Sequence, residues 1–332
     1  MNAFVVMDIG GTSFRSAIFT EEKELQFITK ENSDNFIYNE DSVEKMQDMF
    51  VEKILSIVAR YKNKGDYTIK GVGISFPGPV NEEGTIESAP TLWGSAEKKL
   101  PLLEILKKRL RDIEVVVIND ITAAGWRYKN NINDNFCIIT VSSGIGNKVF
   151  WNDNVLLSKD SVGGEIGHFY YGGKYKNLKC DCGAMGHLGA ISSGRGIEKV
   201  IEILRNEELE LYSESMLFGK PIISTYDIVR GLARNDTFAM KALEESIRPL
   251  AQSIAFIYSC IGVKKFVIVG GFALGVGTLY VETLRRFFKE FQTFNLRDNV
   301  EDMIILGEKD DNHGLIGVGY YLENKIQQYQ LL

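Results

Sequence analysis

The chain has 332 residues, 45% hydrophobic and 25% charged, which is enough for two domains with separate cores. Its 38 Lys and Arg against 44 Asp and Glu leave a net charge of −6, which argues against a nucleic-acid face. The sequence shows no membrane-length apolar run and no signal-peptide pattern, and two of its four cysteines are clustered; the expectation is a cytoplasmic protein with no membrane and no nucleic-acid partner.

Phe4–Met7 is a β-rich run that meets Asp8, turns through Gly10-Gly11-Thr12 and resumes apolar alternation toward Phe19. Glycines there permit backbone angles that bare amide N–H groups, a nest able to cradle a phosphate. No Gly-Lys-Ser/Thr follows, so it is not a Walker loop, and an ordinary hairpin would read the same way. Ser42–Lys62 carries apolar residues at helical spacing. Ile69–Phe76 reads as a strand that ends in Pro77-Gly78-Pro79, at the edge where ligands gather in open α/β sheets. Leu102–Leu110 is predicted as a helix and Val115–Ile118 as a buried strand, so the first part of the chain reads as an α/β sheet.

Asn119-Asp120 ends that strand, and Thr122–Arg127 opens a helix. A carboxylate here is placed to meet a substrate, although either residue could simply cap the helix. The opening pattern then recurs: strand Phe136–Val141, turn Ser142-Ser143-Gly144-Ile145-Gly146 and return strand Val149–Trp151. Two related halves, each with one phosphate-facing hairpin, are expected from this repetition.

Gly163–His187 holds two of the four cysteines and two of the three histidines. Thiolate and imidazole are the ligands of tetrahedral zinc, so this stretch is predicted to form a structural zinc site rather than to carry free thiols. Beyond it, Ile197–Arg205, Tyr226–Arg234 and Ala239–Ile261 read as helices and Phe266–Val269 as a strand. A Gly-spaced loop runs from Gly270-Gly271 to Thr278, then a strand Met303–Leu306 and a terminal helix Gly314–Tyr329. No linker-like stretch separates the halves.

Taken together, these residues resemble the ROK family of sugar kinases and related regulators over nearly the whole chain. Asp8-Ile9-Gly10-Gly11-Thr12 is similar to the family's first phosphate motif, Gly144-Ile145-Gly146 to the second, and Val269-Gly270-Gly271 to the adenosine motif. Asn119-Asp120 is similar to the pair that holds the sugar and carries the base, Gly164-Glu165-Ile166-Gly167-His168 to the sugar and zinc segment, and Cys180–His187 to the zinc loop. The resemblance implies an α/β, two-domain actin-like (ribonuclease H-like) fold, with ATP and sugar in an interdomain cleft. Its expected domains are 1–119 plus 314–332, and 120–313.

It also implies ATP-dependent phosphorylation of a hexose or hexose-like sugar at a primary hydroxyl, with Asp120 as the general base and Gly78, Asn119, Glu165 and His168 binding the sugar. Asp8, Gly10, Gly11, Thr12, Ser143, Gly144, Gly270 and Gly271 would hold ATP, with Mg²⁺. His168, Cys180, Cys182 and His187 would hold structural Zn²⁺, and a homodimer is expected. N-acetylmannosamine, an amino sugar or a cyclitol is the alternative acceptor. Gly189 stands where the family usually has a Glu contacting hydroxyls at the anomeric end, and Asn147-Lys148 replaces small residues after the second turn. Two other classes are a sugar-responsive regulator, for which no DNA-binding module fits before Phe4, and a non-catalytic sugar-binding protein.

Overall fold

A computed structural model of the chain describes residues 1–33, 35, 41–94, 98–158, 163–292 and 299–330. Contacts divide it into two units. The first is 1–133 with 157–163 and 310–332; the second is 134–156 with 164–309.

The first unit holds strands β1 (Asn2–Ile9), β2 (Ser13–Thr20), β3 (Leu25–Asn32), β4 (Thr68–Phe76) and β5 (Glu114–Asn119), in the order β3-β2-β1-β4-β5. Strands β1 and β2 form an antiparallel hairpin, while β4 and β5 continue the sheet in parallel. Both faces are covered, so β1 is apolar almost throughout. Ala3, Val5, Met7 and Ile9 enter one core with helices α1 (Val43–Lys62), α2 (Pro90–Trp93) and α3 (Leu102–Arg109). Val6 enters a second core with Ala123 of α4 (Asp120–Lys129) and with Leu315, Val318 and Leu322 of the C-terminal helix, His313–Gln330. Helix α1 starts where predicted, its first turn capped by the Ser42 side chain, which accepts from the Lys45 N–H at 3.3 Å.

The second unit holds β6 (Phe136–Val141), β7 (Ile145–Trp151), β8 (Asn154–Val155), α5 (Gly189–Ser192), α6 (Gly194–Glu207), α7 (Leu209–Glu214), α8 (Thr225–Leu232), α9 (Thr237–Ile261), β9 (Lys265–Val269), α10 (Gly271–Val276), α11 (Thr278–Phe291), α12 (Val300–Met303) and β10 (Ile304–Leu306). Its sheet order is β10-β9-β6-β7-β8. Read from β8, this matches the first sheet strand for strand, with an antiparallel hairpin β6–β7 and parallel neighbours β9 and β10. The repetition seen in the sequence is thus a repetition of topology.

Two expectations are corrected. The stretch expected as a loop from Gly270-Gly271 to Thr278 is mostly helix α10; beyond it, helix α11, for which no element was expected, buries Tyr280, Leu284 and Phe288 at four-residue spacing. The expected boundary after 119 falls before α4, whereas α4 packs with the first unit. Its Arg127 makes a bidentate ion pair to Asp310 at 2.5 and 2.8 Å, and its Ala123 shares a core with the C-terminal helix.

Candidate active site

In the first unit the predicted residues cluster at strand ends. Asp8 lies on β1 opposite Arg15 of β2 and Ser75 of β4. Both partners grip it: Arg15 pairs with its carboxylate, and Ser75 Oγ donates to Oδ1 at 2.7 Å. The adjoining turn is fixed from behind. Gly10 N–H donates to Ser13 O at 2.7 Å, Ser33 Oγ donates to Gly10 O at 2.6 Å and Asn35 Nδ2 donates to Gly11 O at 2.8 Å. Thr12 O accepts from the Ser33 N–H at 3.2 Å. A turn held through its carbonyls has its amide geometry set in advance, as an anion nest requires.

Asn119 caps the helix, and its side chain also ties Asp120 to the Gly78 loop. The Asn119 side chain caps α4, accepting from the N–H groups of Ile121 at 3.0 Å and Thr122 at 3.2 Å. Its amide nitrogen also donates to Gly78 O at 3.0 Å and to Asp120 Oδ1 at 2.9 Å. Ile121 N–H donates to the same Asp120 oxygen at 2.8 Å. The Gly78 loop, Asn119 and Asp120 are therefore one hydrogen-bonded group, with the carboxylate at a helix N-terminus, where negative charge is favoured.

In the second unit three segments meet at the β6–β7 turn. Ser142 N–H donates to Gly144 O at 2.9 Å, closing the turn, while Ser143 and Gly144 are exposed. Gly194 N–H, in the first turn of α6, donates to Ser142 O at 2.7 Å. Gly270 has φ +99°, and a Cβ there would come within 2.6 Å of the Val141 backbone. Only glycine lets β9 end so close to β6. The Gly270-Gly271 end of β9 thus lies against Val141 and Ser142, where β6 enters its turn. Ser193, the α6 cap, accepts from Gly196 N–H at 3.0 Å and donates to Gly189 O at 2.6 Å.

His168, Cys180, Cys182 and His187 offer donor atoms that all lie within 4.8 Å of one another. Cys180 Sγ is 3.9 Å from His168 Nδ1, and Cys182 Sγ is 3.3 Å from His187 Nδ1. Zinc–ligand bond lengths set an N···S separation of roughly 3.6 Å across a tetrahedral ion, so this donor set fits one. A short turn makes the cluster: Cys180 N–H donates to Ala184 O at 2.7 Å and Gly183 N–H to Cys180 O at 2.9 Å. Asp181, between the thiols, ties the turn to α6 through Arg195 at 2.6 Å and Lys199 at 3.5 Å.

His168 also lines two cavities. One, of about 210 Å³, is bounded by Ser143, Gly144, Gly189 and Arg195. The other, of about 760 Å³, is bounded by Glu165, Phe169, Tyr171 and Phe256. Nδ1 is the ring nitrogen turned toward Cys180. At Gly189 the missing side chain has a local reason: a Cβ would stand 3.0 Å from Gly167 O.

The model of the ROK family matches residues 4–325. A C(7)-cyclitol 7-kinase of Streptomyces hygroscopicus subsp. limoneus is 36% identical over 324 residues, covering 95% of this chain and 92% of that protein. A glucokinase of Halalkalibacterium halodurans is 25% identical, covering 97% and 95%. Among solved structures, a ROK family glucokinase from Streptomyces griseus in complex with glucose and AMPPNP superposes with a TM-score of 0.74 at 21% identity, covering 97% of this chain and 99% of that one. The fold is the two-domain actin-like α/β fold expected above.

Proposed function

Because the chain belongs to the ROK family and is an ATP-dependent sugar kinase, we propose that it transfers the γ-phosphoryl group to a primary hydroxyl of a hexose or hexose-like ring. The observation that carries this reading is the hydrogen-bonded group of Gly78, Asn119 and Asp120. Asp120 accepts the proton of the attacking hydroxyl, while Asn119, with Glu165 and His168, orients the ring through other hydroxyls. Phosphoryl transfer depends on alignment and charge stabilisation. The β1–β2 and β6–β7 turns hold the phosphates, and Gly270 and Gly271 lie against the nucleoside. Asp8, an oxygen ligand of the type Mg²⁺ takes, would help hold that ion, which would supply neutralisation of phosphate charge when bound with ATP.

Zinc in this proposal is structural, because four protein donors leave no position for substrate. His168 Nδ1 faces the cluster, so His168 would hold zinc through that nitrogen and keep Nε2 for the acceptor, with the ring orientation set by the metal bond. Asp120→Asn tests the base: turnover is lost almost completely while acceptor binding is kept. Retained turnover would return Asp120 to a purely structural place at the start of α4.

A cyclitol acceptor is the second reading. It is favoured by the 36% identity to a cyclitol kinase and by the side-chain-free wall at Gly189. A coupled assay with ATP and Mg²⁺ across hexoses, N-acetylmannosamine, amino sugars and hydroxymethyl cyclitols decides between the two. Transfer to none of them would refute the kinase roles given to these residues.

A further inference from the structure

Asn147 sits on β7, five residues past the Ser142 turn, and is 5% exposed. Its backbone N–H donates to Gly164 O at 3.1 Å, and its Oδ1 accepts from Ile166 N–H at 3.1 Å. Side chain and main chain of one residue thus hold both ends of Gly164-Glu165-Ile166. The amide orientation follows from the partners: Ile166 N–H needs an acceptor, and Nδ2 on the other side faces Cys137 Sγ at 3.7 Å. Burial pushes the Cys137 thiol up to about 12, so the sulfur stays a neutral neighbour for that donor.

The segment lies flat on β7. A Cβ on Gly164 would collide with the Asn147 carbonyl oxygen, and a Cβ on Gly167 with that of Ile145. Such close approach leaves the exposed Glu165 and His168 side chains projecting from a backbone fixed at Gly164, Ile166 and Gly167. The same strand leads directly out of the turn that carries Ser143 and Gly144.

We infer that Asn147 is a positioning residue for the acceptor: its buried side chain sets the height and direction at which Glu165 and His168 are presented. The inference rests on the reading of those two residues as acceptor contacts. A group that aligns substrate contacts acts on acceptor binding, whereas a merely structural one would loosen nucleotide and acceptor sites alike.

The test compares Asn147→Leu, Asn147→Thr (which suits a strand, should the leucine variant not fold) and Glu165→Gln with the parent enzyme. The acceptor is glucose, or the hydroxymethyl cyclitol if the assay above favours it. Loss of the side-chain acceptor raises the acceptor KM about tenfold and leaves the ATP KM within about twofold. Amide exchange at Ile166 is slow in the parent and faster in both Asn147 variants. A folded variant with unchanged acceptor KM, or an ATP KM rising in step, overturns the inference, as does an Ile166 amide exchanging at the rate of free peptide in the parent. If Glu165→Gln leaves the acceptor KM untouched, the reading of the segment as acceptor site fails instead, and Ile166 exchange still judges the Asn147 hydrogen bond.

Discussion

Gly189→Glu restores the carboxylate that the family resemblance places at the first position of α5. The cost comes from one contact: a Cβ at 189 stands 3.0 Å from Gly167 O, so that oxygen must retreat by a few tenths of an ångström. Overpacking of that size costs about 1 kcal/mol, at the low end of its range, and lowers Tm by roughly 2–4 °C. The gain appears only with a suitable acceptor. A hydrogen bond from a hydroxyl to a carboxylate is worth about 1.5–3 kcal/mol, or roughly 10- to 150-fold. Arg195 borders the same cavity and competes for the new charge, so the lower figure, about tenfold, is expected. The assay is the ratio of kcat/KM for glucose to that for 1-deoxyglucose. The ratio is within about threefold of unity for the parent, since no side chain at 189 reaches the hydroxyl, and about tenfold or more for the variant. A folded variant with the parent's ratio, or a parent that already discriminates tenfold, would refute the reasoning.

Removing zinc with a chelator, or one ligand by Cys182→Ser, lowers Tm and raises acceptor KM together if, as proposed, His168 serves both sites; a metal-free protein with full acceptor affinity would break that coupling. The Arg127 guanidinium holds the Asp310 carboxyl down from 3.8 to about 2. A carboxyl depressed on folding contributes stability above its ordinary pKa and loses it as pH falls from about 4 through about 2. Asp310 is 40% exposed, so screening reduces the contribution to about 1 kcal/mol. Denaturant melts of Arg127→Met should therefore show that deficit at pH 7 and a vanishing one near pH 2.

The parts of this molecule legible in the sequence are those fixed by local pattern. The two glycine hairpins, the strand ending at Asn119-Asp120 and the Cys–His cluster need only neighbours in the chain. Asn119 shows the limit of that reading: the sequence marks it as a possible cap, but not that the same side chain holds α4 with its oxygen and Gly78 O with its nitrogen. Long-range partners were not legible. Nothing local marks Arg15 and Ser75 as gripping Asp8, although register makes them its neighbours on either side. Helix α11 had a readable signal, the spacing of Tyr280, Leu284 and Phe288, obscured by the glycines just before it. Nothing local marks Ser193-Gly194 as reaching the β6–β7 turn, where Gly194 N–H meets Ser142 O.

The discontinuity of the first unit has a consequence for biosynthesis. Its second core is shared between β1, β2, β5 and α4 on one side and Leu315, Val318 and Leu322 on the other. The ribosome makes residues 134–309 between the two contributions, which at ordinary elongation rates takes about 10–35 s. Throughout that interval Val6, Ala17, Phe19 and Val116 lack the helix that buries them, and by its end the second unit has its whole chain. Vectorial synthesis therefore completes the chain of the later unit first and leaves one face of the N-terminal sheet uncovered until the last helix arrives.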